Sequence, residues 1–199
     1  MRLLEVVKKI FVVVSVVSAS VGCALADVKC NVVNVSNADV VTCSHASFVK
    51  IDKVLNEQYR VLSTEIASSL KVDLLSVQKD WIRLKESYCG GIGSDASSGQ
   101  ERLIDKISCE KQLTSFRLSE LIYLRTGVIG GGFYKAVSIV NEKTTAMDYP
   151  KAVDYVSGQF EFGPLWAEYA QRNCAMTQKL FGEVFERCIA RMKFQMPIY

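Results

Sequence analysis

Seven cysteines and one histidine bound the chemistry this chain can attempt. A Ser-His-Asp or Cys-His centre needs an imidazole, so either would have to use His45. His45 stands two residues after Cys43 and reads better as part of a helix start than as a base. A zinc site is poorly served, because there is no C-x2-C pair and no second histidine. The carboxylates Asp52, Glu57, Glu65, Asp80 and Glu86 recur at helical spacing among lysines and arginines. That pattern describes a solvated helix face rather than two acids tuned apart in one cleft. The expectation is therefore no catalytic centre, no metal and no cofactor.

What remains for the cysteines is cross-linking. The chain opens with Arg2, Lys8 and Lys9, a mostly apolar run from Ile10 to Val21, and Ala24-Leu25-Ala26. A basic start, a short apolar run and an A-x-A site make a secretory leader over residues 1–26. Without it Asp27 is the first residue and six cysteines are left, Cys30, Cys43, Cys89, Cys109, Cys174 and Cys188. The segment SVGC at 20–23 also loosely resembles a lipobox, with Ser20 where such boxes usually carry Leu, so Cys23 is a candidate lipid anchor. An even cysteine count in an exported chain implies disulfides, and six cysteines allow about 15 pairings. The six fall into close pairs 13, 20 and 14 positions apart, so local pairing of Cys30–Cys43, Cys89–Cys109 and Cys174–Cys188 is the simplest reading. Disulfide-bonded sulfurs are not nucleophiles.

Charge says little about partners. Removing Arg2, Lys8, Lys9 and Glu5 with the leader leaves 21 basic against 20 acidic side chains, or +1. Such a surface does not point to nucleic acid or to an acidic membrane. No later apolar run is long enough to span a bilayer.

The elements that must position the cysteines read as helices. Phe48, Ile51, Leu55, Tyr59, Leu62 and Ile66 recur at intervals of three and four, as do Leu74, Val77, Trp81, Leu84 and Tyr88. These two helices join near ASSLK. A Gly/Ser-rich loop at 90–101 follows and ends in Ser98-x-x-Glu101, a capping-box pattern for a third helix reaching about Arg125. TGVIGGGF lacks the Lys-Ser/Thr of a phosphate loop and reads as a helix stop. Phe133, Val137, Val140, Thr144 and Met147 suggest a short fourth helix, and YPKAVDYVSGQF a turn or two more. Gly163-Pro164 opens another helix. Leu180, Phe181, Val184, Phe185, Cys188, Ile189 and Met192 make a last helical face. Sustained two-residue alternation is missing, so the expected class is all-α, disulfide-stapled hairpins packed as a small helical bundle.

Both tryptophans precede a cysteine by eight positions, Trp81 before Cys89 and Trp166 before Cys174. With local disulfides, each cysteine would staple a helical hairpin and each tryptophan would wedge into its crevice as core. Residues 160–192 thus look like a degenerate second copy of the hairpin half.

These residues resemble the LprI-type lysozyme-inhibitor domain family over about residues 28–124. The matching positions are Cys30 and Cys43, Ile51-Asp52-x-x-Leu55-Asn56-x-x-Tyr59, Gln78-x-x-Trp81, Cys89, Cys109, Arg117 and Leu121. The chain departs from the pattern at Lys85-Glu86, where the family commonly has Arg-Asp. It departs again at Val40 and Val41, where a Glu usually precedes the second cysteine. The resemblance implies an exported, disulfide-stapled helical module; the family's named member inhibits lysozyme. It divides the chain into a leader at 1–26, an LprI-like domain at 27–125 and a helical extension at 126–199. The expected partner is a protein, a lysozyme or another cell-wall hydrolase, met in the periplasm or outside the cell. An envelope accessory protein or an immunity protein against a secreted toxin is the alternative. The loop Gly90–Gln100, held at its base by Cys89 and Cys109, is the candidate contact, with Ser94, Asp95 and Ser97 its polar side chains.

Overall fold

A computed structural model describes residues 30, 36–92, 99–143, 147–158 and 160–197. The leader, Cys23 and the loop residues Ser94, Asp95 and Ser97 lie outside the described residues. Among those described, seven α-helices and one short 3-10 turn make up the secondary structure, with no strand.

Helix α1 spans Asn37–Glu65 and begins earlier than the apolar pattern from Phe48 suggests. The reason is a capping box at its start. The Ser36 hydroxyl accepts from the Asp39 N–H at 3.3 Å, and the Asp39 carboxylate accepts from the Ser36 N–H at 3.0 Å. Those bonds hold the Asp39 carboxyl below the usual carboxylate range. Cys43 and His45 therefore sit inside α1, not at its start. Ile66 and Ala67 adopt extended backbone and end the helix; Ser68–Leu70 forms the 3-10 turn that reverses the chain into α2, Lys71–Gly90.

Helix α3 spans Gln100–Thr126. Ser98 of the expected Ser98–Glu101 box lies outside the described residues; the N-cap is Gly99, at φ 95°, and makes no side-chain cap bond. Gly127, at φ 69°, closes α3 in the left-handed conformation, and its N–H reaches the Tyr123 carbonyl at 2.8 Å. Helices α4 (Gly132–Lys143), α5 (Tyr149–Ser157), α6 (Pro164–Phe181) and α7 (Phe185–Gln195) follow. The single apolar face expected from Leu180 to Met192 is two helices, because Gly182 at φ 66° ends α6 as Gly127 ends α3.

Arg125, at the end of α3, bonds Glu65, at the end of α1. Since α1 also packs along α3, the two must run parallel. Helix α2 lies antiparallel to α3, pinned by the Cys89–Cys109 disulfide at one end and by contacts from Gln78 to Arg117 further along. It packs more extensively against α6 than against α3. The main core joins both halves of the chain: Leu55, Leu62, Leu74, Val77, Trp81, Leu113 and Leu121 pack in one cluster with Tyr169, Met176 and Met192. Each fully buried Leu or Met side chain contributes about 1.5–3 kcal/mol. A smaller cluster of Phe133, Val137, Ala152 and Val153 packs on Ala190 and ties α4 and α5 to α7.

Candidate functional site

The core contains a continuous chain of charged and amide side chains. Arg117, fully buried on α3, donates from Nε to Gln78 Oε1 on α2 and from Nη1 to Asn173 Oδ1 on α6, each at 3.0 Å. Asn173 Nδ2 donates to Glu120 Oε2 at 2.7 Å. Glu120 also receives both terminal nitrogens of Arg191 on α7. Arg191 Nε donates to Glu183 Oε1 at 3.0 Å, and the Tyr134 hydroxyl of α4 donates to the same oxygen at 3.2 Å. Arg191 thus meets two carboxylates, and Arg117 joins the same line through the amides of Gln78 and Asn173; the line touches α2, α3, α4, α6 and α7. Buried charge is tolerated when paired and hydrogen-bonded, as Arg191 is; Arg117 is held by amide oxygens alone, and among the described residues its Nη2 has no hydrogen-bond partner. Burial opposes the Arg191 charge, but Glu120 and Glu183 outweigh it and its pKa is raised. Burial pushes the Tyr169 hydroxyl, whose ring lies 5.6 Å from the Arg117 guanidinium carbon, up to about 12.

A second arrangement faces outward, on the seam between α2 and α6. Asp73 meets Lys179 at 2.7 Å, Asp80 meets Arg172 at 2.8 Å, and Arg83 meets Glu168 at 3.1 Å. Numbers rise on α2 as they fall on α6, so the helices are antiparallel, and these pairs clip them together at intervals of about two turns and then about one. Arg83 also bonds Asp80, whose side chain is only 2% exposed, so one buried carboxylate serves two half-exposed guanidiniums. Beside them lies a surface cavity of about 380 Å³ bordered by Ser76, Lys79, Asp80, Ile82, Arg83 and Arg172.

The stapled α2–α3 pair carries Gln78, Trp81, Cys89, Cys109, Arg117 and Leu121 of the resemblance, with Gln78 tied to Arg117 and Trp81 to the Leu113 carbonyl, while Cys43, Ile51, Asp52, Leu55, Asn56 and Tyr59 lie on α1. Residues 30–121 match the family model described as Lysozyme inhibitor LprI. No curated protein and no solved structure matches the chain.

Within this LprI-type segment, Leu55 and Leu121 are core, and Tyr59 packs partly buried against it. Trp81 is buried and donates from Nε1 to the Leu113 carbonyl of α3 at 3.2 Å. Asp52 stands apart on α1, accepting from Asn56 Nδ2 at 2.9 Å. Lys85 lies over the Trp81 ring at 4.8 Å, one of the two positions where the chain departs from the pattern after the tryptophan. Cys30–Cys43, Cys89–Cys109 and Cys174–Cys188 are the three disulfides. The second Trp-x7-Cys copy is placed differently from the first. Cys89 lies at the end of α2, whereas Cys174 lies two turns inside α6. Trp166 packs on Phe162 and, among the described residues, its Nε1 has no hydrogen-bond partner.

Sequence reasoning misread Asp80 as part of a solvated face; it is buried. The signal was available. Position 80 is three residues after Val77 and four before Leu84, both core, so it lies within the apolar stripe. Glu120 shows the same sign, four residues after Phe116 and four before Leu124. Asn173, Glu183 and Arg191 were missed as well, since their partners are remote in sequence. Among the described residues, no group of three or more His, Cys, Asp or Glu side chains is placed to hold a metal ion. No described helix is long and apolar enough to cross a membrane.

Proposed function

We propose that this chain is an exported, non-catalytic protein-binding module that inhibits a lysozyme or another cell-wall hydrolase. The observation that carries the reading is the match of residues 30–121 to a family described as a lysozyme inhibitor. The architecture supports it. Three disulfides and a buried ionic chain make a stiff platform, and binding by a stiff surface loses less conformational entropy than binding by a mobile one. Disulfides also persist in the oxidising space where such a target is met, the periplasm or the exterior. In this reading residues 1–26 are the leader, residues 27–125 are the binding module, and residues 126–199 brace it through α6 and α7.

Clearing of a bacterial cell suspension by a panel of lysozymes, with and without the mature protein, tests the proposal. Slowed clearing, with the protein recovered intact, is the expected result. Unchanged clearing by every lysozyme in micromolar excess of inhibitor, combined with capture of a different periplasmic protein, would turn the assignment toward an envelope accessory or immunity role.

A further inference from the structure

Helix α2 has three faces, and only two are covered by the described residues. Leu74, Val77, Trp81 and Leu84 enter the core, and Asp73 and Asp80 clip onto α6. The third face carries Val72, Leu75, Lys79 and Ile82 at i, i+3, i+7 and i+10, a stripe about 15 Å long. Val72 is 70% exposed, Leu75 46% and Ile82 37%, values that are high for aliphatic side chains lined up on one helix. The stripe's far end opens into the cavity of about 380 Å³ where Lys79, Arg83 and Arg172 converge.

The charges there do not balance. Arg83 and Arg172 share the single buried carboxylate of Asp80, and Glu168 takes a further bond from Arg83. Lys79, exposed on the same rim, makes no ion pair among the described residues. Three cations therefore face two carboxylates, one of them sunk below the surface. Arginines beside an apolar strip are the usual make-up of the centre of a protein interface. A convex helix ridge of this kind suits a concave partner.

We infer that the α2 ridge, centred on Lys79 and Ile82, is the surface that meets the hydrolase, and that it docks on an acid-lined substrate cleft. This rests on the inhibitor reading above. Glycoside hydrolases of the lysozyme type place two carboxyl groups in their clefts. The rim supplies a surplus cation at the mouth of a notch wide enough for a carboxylate, with Leu75 and Ile82 to cover the apolar sugar-stacking walls. A second copy of this chain is a poorer occupant, because two ridges face to face would oppose the same surplus charge.

The test uses the full mature protein and a c-type lysozyme. Lys79→Glu and, separately, Leu75→Ser with Ile82→Ser should each weaken inhibition by about tenfold or more, with helical content unchanged. Lys53→Glu, an exposed exchange on α1, should leave inhibition as it was. Wild-type inhibition should also weaken as salt rises. If both α2 variants inhibit like the wild type while the wild type itself is potent, the ridge is not the contact, although the inhibitor reading stands. If the wild type is inert toward this lysozyme, the inference falls, and the panel of lysozymes decides the inhibitor reading separately. Sedimentation showing a wild-type dimer that Ile82→Ser dissociates would assign the ridge to self-association and overturn the inference.

Discussion

Replacing Glu120 by Gln removes one charge from the middle of the buried chain while keeping the side chain's size. In the native protein Glu120 is 1% exposed and accepts from Asn173 and from two nitrogens of Arg191, which is itself fully buried. The amide can accept through its oxygen only, and its NH2 group must then face an Arg or Asn donor. Arg117 and Arg191 would be left with Glu183 as the one carboxylate in the chain. Removing one partner of a buried pair costs about 3–5 kcal/mol. Total stability for a domain of this size is about 5–15 kcal/mol, so a large share of it is at stake. For a chain of 150–250 residues each kcal/mol moves Tm by roughly 2–4 °C, so the expected fall is about 6–20 °C. Thermal and urea melts followed by far-UV circular dichroism under oxidising conditions read it directly. The double variant Glu120→Gln with Arg191→Met should be less damaged than the sum of the two singles, with a coupling of about 1–3 kcal/mol. A loss under about 1 kcal/mol for Glu120→Gln, or strict additivity in the double variant, would refute the claim that this carboxylate is buried, ionised and paired with Arg191.

Trp81→Ala should cost about 3–5 kcal/mol in the same melts, since it empties a core position and removes the side-chain donor to the Leu113 carbonyl; a far smaller loss would put Trp81 at the surface. Non-reducing peptide maps should recover the three local disulfides, and Cys174→Ala with Cys188→Ala, opening a loop of 14 residues, should lower stability by about 3 kcal/mol; one cross-linked pair such as Cys89–Cys174 would contradict the fold. Tyr134 and Tyr169 are held neutral up to about 12 by burial, against an ordinary value of 10.0. Their contribution to stability is therefore complete below pH 10 and declines as pH rises through 12. Ultraviolet titration of the folded protein should show late-ionising tyrosines, and ionisation of every tyrosine together near pH 10 would show that these two are solvated.

The helical class, the α1–α2 break and the disulfide pairs were legible because each leaves a short-range trace. Apolar residues recur every three or four positions, and the cysteines fall in close pairs. Helix starts and stops were legible only in part. The Ser36–Asp39 box is readable in the sequence but stands about three turns ahead of Phe48, where the apolar pattern begins. Gly182 sits inside an unbroken apolar face and divides it by backbone conformation alone. The buried ionic chain could not be assembled from sequence, since Arg117 meets Asn173, and Glu120 meets Arg191, across 56 and 71 positions. The packing of α2 on α6 escaped for the same reason: nothing local to either helix says that the C-terminal extension covers the LprI-type segment.

The central claim is inhibition by a folded, disulfide-held surface, and a titration measures it most directly. Mature protein added in steps to a fixed concentration of lysozyme should lower the initial rate of cell-wall hydrolysis linearly to an end point near one equivalent. The same titration after reduction and alkylation of the cysteines should show no effect. Hydrolysis that stays constant through a large molar excess of the oxidised protein would contradict the account, as would inhibition that survives reduction undiminished.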